Sequence, residues 1–262
     1  MAEHQIRFVD GAAYERMMGA WSRIAGEVFL DWLAPRGGLR WLDVGCGSGA
    51  FSELVSERCA PSALDGIDPA EPQLAFARTR AGTSGAHFRQ GDAMALPFAD
   101  DSFDAATMAL VIFFVPEPAK GIAEMARVVA PGGLVAAYAW DMLGGGFPLA
   151  ALRDSVAAMG INPPAPPSAA ASTIEALRGL WTGAGLEAVE TRTIDAPRTF
   201  ADFEEFWTTA RLGVSVTSVL ASMSEADVAR LKEQVRAKLP SGPDGRLTIG
   251  ARANAVKGRV RK

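Results

Sequence analysis

Trp41-Leu42-Asp43-Val44-Gly45-Cys46-Gly47-Ser48-Gly49 is the stretch on which the fold turns. Its first half is apolar apart from Asp43 and reads as a buried strand. Its second half places three glycines within five residues. That lets the backbone turn sharply and lets a ligand approach closely. Phe51, Leu54 and Val55 then fall on one face of a helix. A helix that opens at such a turn offers free N–H groups to an anionic or polar ligand. Taken alone, the loop also fits a tight turn with no ligand. Gly45, Gly47 and Ala50 match the G-x-G-x-x-[G/A] spacing of dinucleotide-binding turns. Asp43 departs from that class, which usually keeps an apolar residue there. An acid at this point suits a ligand that carries an ammonium group.

The texture continues on both sides. Upstream, Tyr14 to Leu33 carries Met17, Met18, Trp21, Ile24, Val28, Phe29, Trp32 and Leu33, several at helical spacing, and Pro35 to Gly38 closes it. Downstream, strands are predicted over Ala63–Asp68, Ala86–Gly91, Asp104–Phe114 and Leu134–Trp140. Helices are predicted over Pro69–Arg80 and Pro118–Val129. Strands alternating with helices build a parallel sheet with helices on both faces. After Trp140 come a Gly144-Gly145-Gly146 turn and an Ala/Pro stretch from Pro163 to Ala171. A helix from Ile174 to Ala184, a strand from Leu186 to Ile194 and an aromatic segment from Phe200 to Leu220 follow. Ser224 to Leu239 reads as a capped amphipathic helix, Arg246 to Val256 as a last strand, and Lys257 to Lys262 as a solvated basic tail.

Composition narrows the function. The chain has 262 residues, 49% hydrophobic and 21% charged, with a net charge of −4. That is ordinary for a globular α/β chain, and it lacks the basic face that a grip on nucleic acid needs. Two Cys and two His exclude zinc clusters and disulfide scaffolds and leave no metal site to expect. No apolar run reaches the roughly 18 residues of a membrane span, and no leader is evident, so a reducing cytoplasm is expected.

The segment Asp43-Val44-Gly45-Cys46-Gly47-Ser48-Gly49 resembles the first motif of class I S-adenosylmethionine-dependent methyltransferases. Further matches follow in order. Gly66-Ile67-Asp68-Pro69 is similar to the end of that family's second strand, and Gln90-Gly91-Asp92-Ala93-Met94-Ala95-Leu96-Pro97-Phe98 to its third-strand motif. Ser102-Phe103-Asp104 and Glu124-Met125-Ala126-Arg127-Val128-Val129-Ala130-Pro131-Gly132-Gly133 resemble the small-molecule branch that includes ubiquinone and menaquinone methyltransferases.

The resemblance implies a seven-stranded Rossmann-like sheet, mostly parallel with an antiparallel last strand, and helical cap insertions. It implies a cofactor, S-adenosylmethionine, lined by Asp43, Gly45, Cys46, Gly47, Gly49, Pro69, Gln73, Met94, Ala109 and Leu110. Asp68 would hold the ribose hydroxyls, Asp92 would accept from the adenine amino group, and Ala93 would face the ring. Tyr14-Glu15-Arg16-Met17-Met18-Gly19-Ala20-Trp21-Ser22-Arg23 is similar to a lid pattern of one subgroup, with Ala20 standing where that pattern has Arg. Tyr14 and Arg23 would then reach the methionine carboxylate. The plain alternative is a packed aromatic and a solvated charge.

The expected organisation is one domain over 1–262. Residues 1–35 form a helical lid and 36–141 the cofactor core. Residues 142–240 hold cap insertions and the sixth strand, and 241–262 the last strand and tail. The expected activity is in-line methyl transfer to a small, partly hydrophobic molecule. No residue is assigned as a general base, and the oligomeric state is open. Two alternatives stand beside it: a non-catalytic S-adenosylmethionine-binding protein, and an NAD(P)-dependent oxidoreductase.

Overall fold

The computed structural model describes residues 15–162 and 165–261. Its strands are β1 (Arg40–Val44), β2 (Ala63–Asp68), β3 (Ala86–Gln90), β4 (Phe103–Ala109), β5 (Val129–Trp140), β6 (Glu187–Asp195), β7 (Arg198–Phe200), β8 (Leu247–Ile249) and β9 (Arg252–Arg259). Among the described residues, seven of them form one sheet in the order β3-β2-β1-β4-β5-β9-β6. The first five strands run parallel, and β9 enters antiparallel between β5 and β6. β7 and β8 pair separately as a small ribbon.

The central strands are apolar on both faces because both faces are covered. Trp41, Leu42 and Val44 of β1 are fully buried, as are Ala105, Ala106 and Met108 of β4 and Val135 to Ala139 of β5. The edge strands β3 and β6 are largely exposed. On one face lie α1 (Ala20–Leu33) and α2 (Ala50–Cys59), joined by Phe29, which meets Phe51 at 6.0 Å and Tyr138 of β5 at 4.7 Å. The short α3 (Glu71–Ala77) follows β2. Next come α4 (Pro118–Val128), α5 (Ala150–Ala158) and α6 (Ile174–Gly183). The buried indole of Trp181 on α6 donates to the Val135 carbonyl at 2.9 Å. The remaining helices are α7 (Phe203–Ala210), α8 (Val214–Ala221) and α9 (Glu225–Lys238). Ser224 caps α9 by accepting from the Asp227 amide. No helix among the described residues is long and apolar enough to cross a membrane.

Several boundaries differ from the sequence reading. The apolar run predicted as a strand to Phe114 leaves the sheet at Ala109. Leu110 takes a left-handed backbone, φ +63°, and a single tight turn, Ile112–Phe114, follows. Burial on both sides looks the same in sequence whether the segment is strand or packed turn. The helix predicted over Pro69–Arg80 is shorter, Glu71–Ala77. The predicted last strand, Arg246–Val256, is two strands, β8 and β9, broken at Gly250-Ala251. The tail was expected to be solvated, but Lys257, Gly258 and Arg259 belong to β9 and pair with Ala136, Val135 and Leu134. Lys257 holds its ammonium over the Trp32 ring, 4.5 Å from the ring centre. A charged head on an aliphatic stem allows a lysine to occupy such a site.

Candidate active site

The direction of winding changes between β1 and β4: β1 leads to β2 on one side, and β4 and β5 lie on the other. In open α/β sheets the crevice beyond the strand ends at such a point is where ligands bind. The glycine loop leaves β1 at this point.

Its three glycines all have positive φ: +75° at Gly45, +51° at Gly47 and +79° at Gly49. Their surroundings differ. A Cβ on Gly45 would lie 2.5 Å from the Val111 methyls, and one on Gly49 would lie 2.9 Å from the Ala77 Cβ. Those two glycines answer to packing inside the chain. A Cβ on Gly47 would meet nothing within 4 Å, so there the loop turns bare backbone to open space. The loop is tied down by the Gly45 and Cys46 amides, which donate to the Ile67 carbonyl at 2.7 and 3.0 Å.

Asp68 ends β2 and accepts from two amides, Gly47 at 3.0 Å and Ala70 at 2.8 Å. Its carboxylate therefore joins the loop to the start of α3, beside Pro69. Each oxygen keeps a second lone pair. Burial pushes its pKa up, and the two amide bonds oppose that.

Asp43 is fully buried under the loop. Its Oδ2 accepts from the Ser52 hydroxyl at 2.6 Å, while its Oδ1 has no partner among the described residues. Burial pushes its pKa up to about 7; the Ser52 bond opposes the shift and the Asp68 charge adds to it. Gln73, buried on α3, likewise has an unpartnered Oε1. Buried acceptors without partners are rare and mark places where a ligand or a water completes the structure. Cys46 is buried in the loop, and burial raises its thiol pKa.

Asp92 stands exposed after β3, where its Oδ1 accepts from the Met94 amide at 2.8 Å. Ala93 and Met94 are half-buried beside it. The segment is held from behind. Arg127 donates to the Leu96 carbonyl at 3.0 Å, the Phe98 carbonyl at 2.9 Å and Asp100 at 2.8 Å, while Glu124 accepts from the Leu96 amide at 2.8 Å. Glu124 and Arg127 pair with each other at 2.7 Å. This explains why those two charges sit three residues apart on α4.

At the end of β4, Ala109 is half-buried and Leu110 buried, with the Leu110 amide donating to the Tyr138 carbonyl at 2.8 Å. A left-handed bulky residue is an outlier of the kind that gathers at functional sites. Its kink brings Val111 against Gly45 and is followed by Ile112 and Phe113, both buried. At the end of β5 the acid is Asp141. Its Oδ2 is held by Arg252 at 2.8 Å and its Oδ1 by the Gly144 amide at 2.9 Å.

The strand ends thus bring together Asp43, Gly45, Cys46, Gly47, Gly49, Asp68, Pro69, Asp92, Ala93, Met94, Ala109 and Leu110, with Gln73 nearby on α3. Arg23 is not among them. Its guanidinium pairs with Glu27 at 3.1 Å and Glu57 at 2.8 Å, half-exposed. Glu57 lies seven residues into α2 from Ala50, roughly 10 Å along the axis from the glycine loop. The solvated-charge alternative describes it. Tyr14 lies outside the described residues. His87 is exposed on β3. Sequence reasoning missed Ser52 and Val111. No spacing rule links Ser52 to Asp43, because their contact is made across the turn. An apolar groove of about 460 Å³ between α4 and α6, lined by Pro118, Ala119, Ala176 and Leu180 among others, contains none of the site residues.

Residues 42–137 match a family model described as a methyltransferase domain. The chain is 40% identical over 121 residues to a ubiquinone/menaquinone biosynthesis C-methyltransferase of Paracoccus denitrificans, covering 45% of this chain and 48% of that one. It is 38% identical over 115 residues to a demethylmenaquinone methyltransferase of Thermus thermophilus, covering 43% of this chain and 50% of that one. The chain spans about half the length of these curated relatives. Its fold is similar to phosphoethanolamine N-methyltransferase 2 of Haemonchus contortus, solved with S-adenosyl-L-methionine, at a TM-score of 0.60 and 19% identity, covering 95% of this chain and 56% of that one. The matched residues run from β1 into β5, so the likeness to methyltransferase domains covers the part of the sheet whose strand ends form the site.

Proposed function

We propose that the chain transfers a methyl group from S-adenosylmethionine to a small, partly hydrophobic acceptor. The observation that carries this reading is the strand-end set at the switch point. An open backbone at Gly47, an unpartnered buried acceptor on Asp43 and carboxylates at Asp68 and Asp92 lie at the ends of β1, β2 and β3 in that order. The residues fit a ligand with an ammonium group at one end, ribose hydroxyls in the middle and an adenine amino group at the other. In this reading Asp43 lies nearest the ammonium, Asp68 takes the ribose through its spare lone pairs, and Asp92 with Ala93 and Met94 takes the base. Gln73 offers its free Oε1 from α3.

The bound cofactor supplies a methyl already activated on sulfonium. The chain's own part is to orient and to exclude water. Leu110, Val111, Ile112 and Phe113 make the end of β4 apolar. Asp141, the acid at the end of β5, is tied up by Arg252 and Gly144 and is not assigned as a base. The N-terminal segment acts as a lid, and the insertions within residues 142–240, apart from the sixth strand, act as the cap. In support, Trp21 packs 5.5 Å from Phe200, and Arg198 donates to the Met17 carbonyl at 2.9 Å. The two thiols, free and buried, suit a reducing cytoplasm.

Thermal-shift titration with S-adenosylmethionine, S-adenosylhomocysteine and NAD tests the cofactor, with stabilisation expected from the first two alone. Radiolabelled methyl transfer from S-adenosylmethionine to a fractionated metabolite pool tests the reaction. Stabilisation by NAD alone would favour an oxidoreductase. Tight cofactor binding with no transfer to any fraction would favour a non-catalytic binder.

A further inference from the structure

We propose that Ser52 is a positioning residue for the cofactor: its hydroxyl holds one oxygen of Asp43 so that the other remains an ionised acceptor for the ligand's ammonium group. The inference rests on the cofactor reading above.

Ser52 lies in the first turn of α2, three residues after Gly49, and is fully buried. A serine inside a helix commonly turns its hydroxyl back to its own backbone. Here the hydroxyl crosses to β1 and donates to Asp43 Oδ2 at 2.6 Å. A hydroxyl has one proton to give, so it fixes one carboxylate oxygen and leaves Oδ1 without a partner.

The residues that flank Asp43 in the sheet give it no second donor. Gly66 of β2 and Thr107 of β4 flank it in register. Gly66 has no side chain, and the Thr107 hydroxyl serves the Trp41 indole at 2.9 Å and the Leu42 carbonyl at 3.4 Å. Asp68, at the end of β2, carries a charge of the same sign, which disfavours a second anion. Cys46 in the loop is a thiol whose own pKa is raised, and Arg78 acts on that thiol. Burial and Asp68 both push Asp43 towards its neutral form, and the Ser52 bond pushes it back. A neutral carboxyl would neither attract an ammonium nor keep both oxygens as acceptors. Ser52 therefore sets how much of the chain is competent to bind cofactor near neutral pH.

The test is calorimetric titration of the full chain with S-adenosylhomocysteine between pH 5.5 and 8.5. For the wild type, affinity should weaken as pH falls through about 7. Ser52→Ala should move that fall upward by about one pH unit, weakening binding at pH 7 by about fivefold, with recovery towards pH 8.5. Ser52→Thr keeps the hydroxyl and should keep the wild-type profile. Asp43→Asn should give a flat profile on which Ser52→Ala has no further effect. If Ser52→Ala gives no cooperative melt, Ser52→Cys, with its weaker donor, replaces it and should show the same upward move. A Ser52→Ala profile identical to wild type, or weakened by one factor at every pH, overturns the inference. A wild type that binds at no pH overturns the cofactor reading itself.

Discussion

Asp43→Asn should remove a loss of stability that the ligand-free wild type suffers as pH rises, and should weaken cofactor binding. The wild-type carboxyl sits fully buried with one oxygen unpartnered, and its pKa is pushed up to about 7 from the ordinary 3.8. A group whose folded pKa lies above its unfolded value binds its proton more tightly in the folded state. Its contribution is fully present below the unfolded value and is lost as pH rises through the folded one. Between pH 5 and pH 9 the span from 5 to about 7 counts, two pH units at 1.36 kcal/mol each, so the wild type loses about 3 kcal/mol relative to the variant. The amide does not titrate, and whatever constant cost or gain it carries cancels in that difference. For a chain of this size the loss corresponds to a relative fall in Tm of roughly 6 °C. Guanidinium unfolding of both proteins without ligand, at pH 5, 7 and 9, measures it. Parallel pH dependences in wild type and variant would refute the reasoning, because they would mean that Asp43 is ionised in the fold at ordinary cost.

The glycine loop separates packing from binding: Gly45→Ala, at φ +75° with Val111 at 2.5 Å, should cost more than the roughly 1–2 kcal/mol of a left-handed alanine. Gly47→Ala, with nothing within 4 Å, should cost only about that amount in unfolding but should weaken cofactor binding in the thermal-shift assay. Arg127→Ala removes the side chain that holds the Leu96 and Phe98 carbonyls, so unfolding should show a loss of about 2–4 kcal/mol, with weaker cofactor binding through the misplaced Asp92. Arg23→Ala should leave cofactor affinity unchanged and move stability by about 0.5 kcal/mol at most, since both of its ion pairs are solvated; a large loss of affinity would return Arg23 to the site.

By itself the sequence determined the alternating core from Arg40 to Trp140. Apolar strands, glycine turns and helix faces are local patterns, and each fits one element. It also placed the strand-end acids, because a parallel sheet turns every strand's carboxyl end to the same side, so Asp43, Asp68 and Asp92 had to gather there. Tertiary structure decided the rest. β4 ends where Leu110 turns left-handed while its amide still reaches the Tyr138 carbonyl, a kink that a run of buried residues does not reveal. Residues Lys257 to Arg259 enter the sheet because β5 and β6 both need a partner between them. Arg23 pairs with Glu57 of α2, a contact between two helices that sequence spacing does not reveal. Whether Asp43 is an ordinary acid or one poised near neutrality depends on burial, on Ser52 and on Asp68, three contacts made across the fold. Pattern fixes which residues line a strand end, while desolvation and hydrogen bonding between distant segments fix what those residues can do.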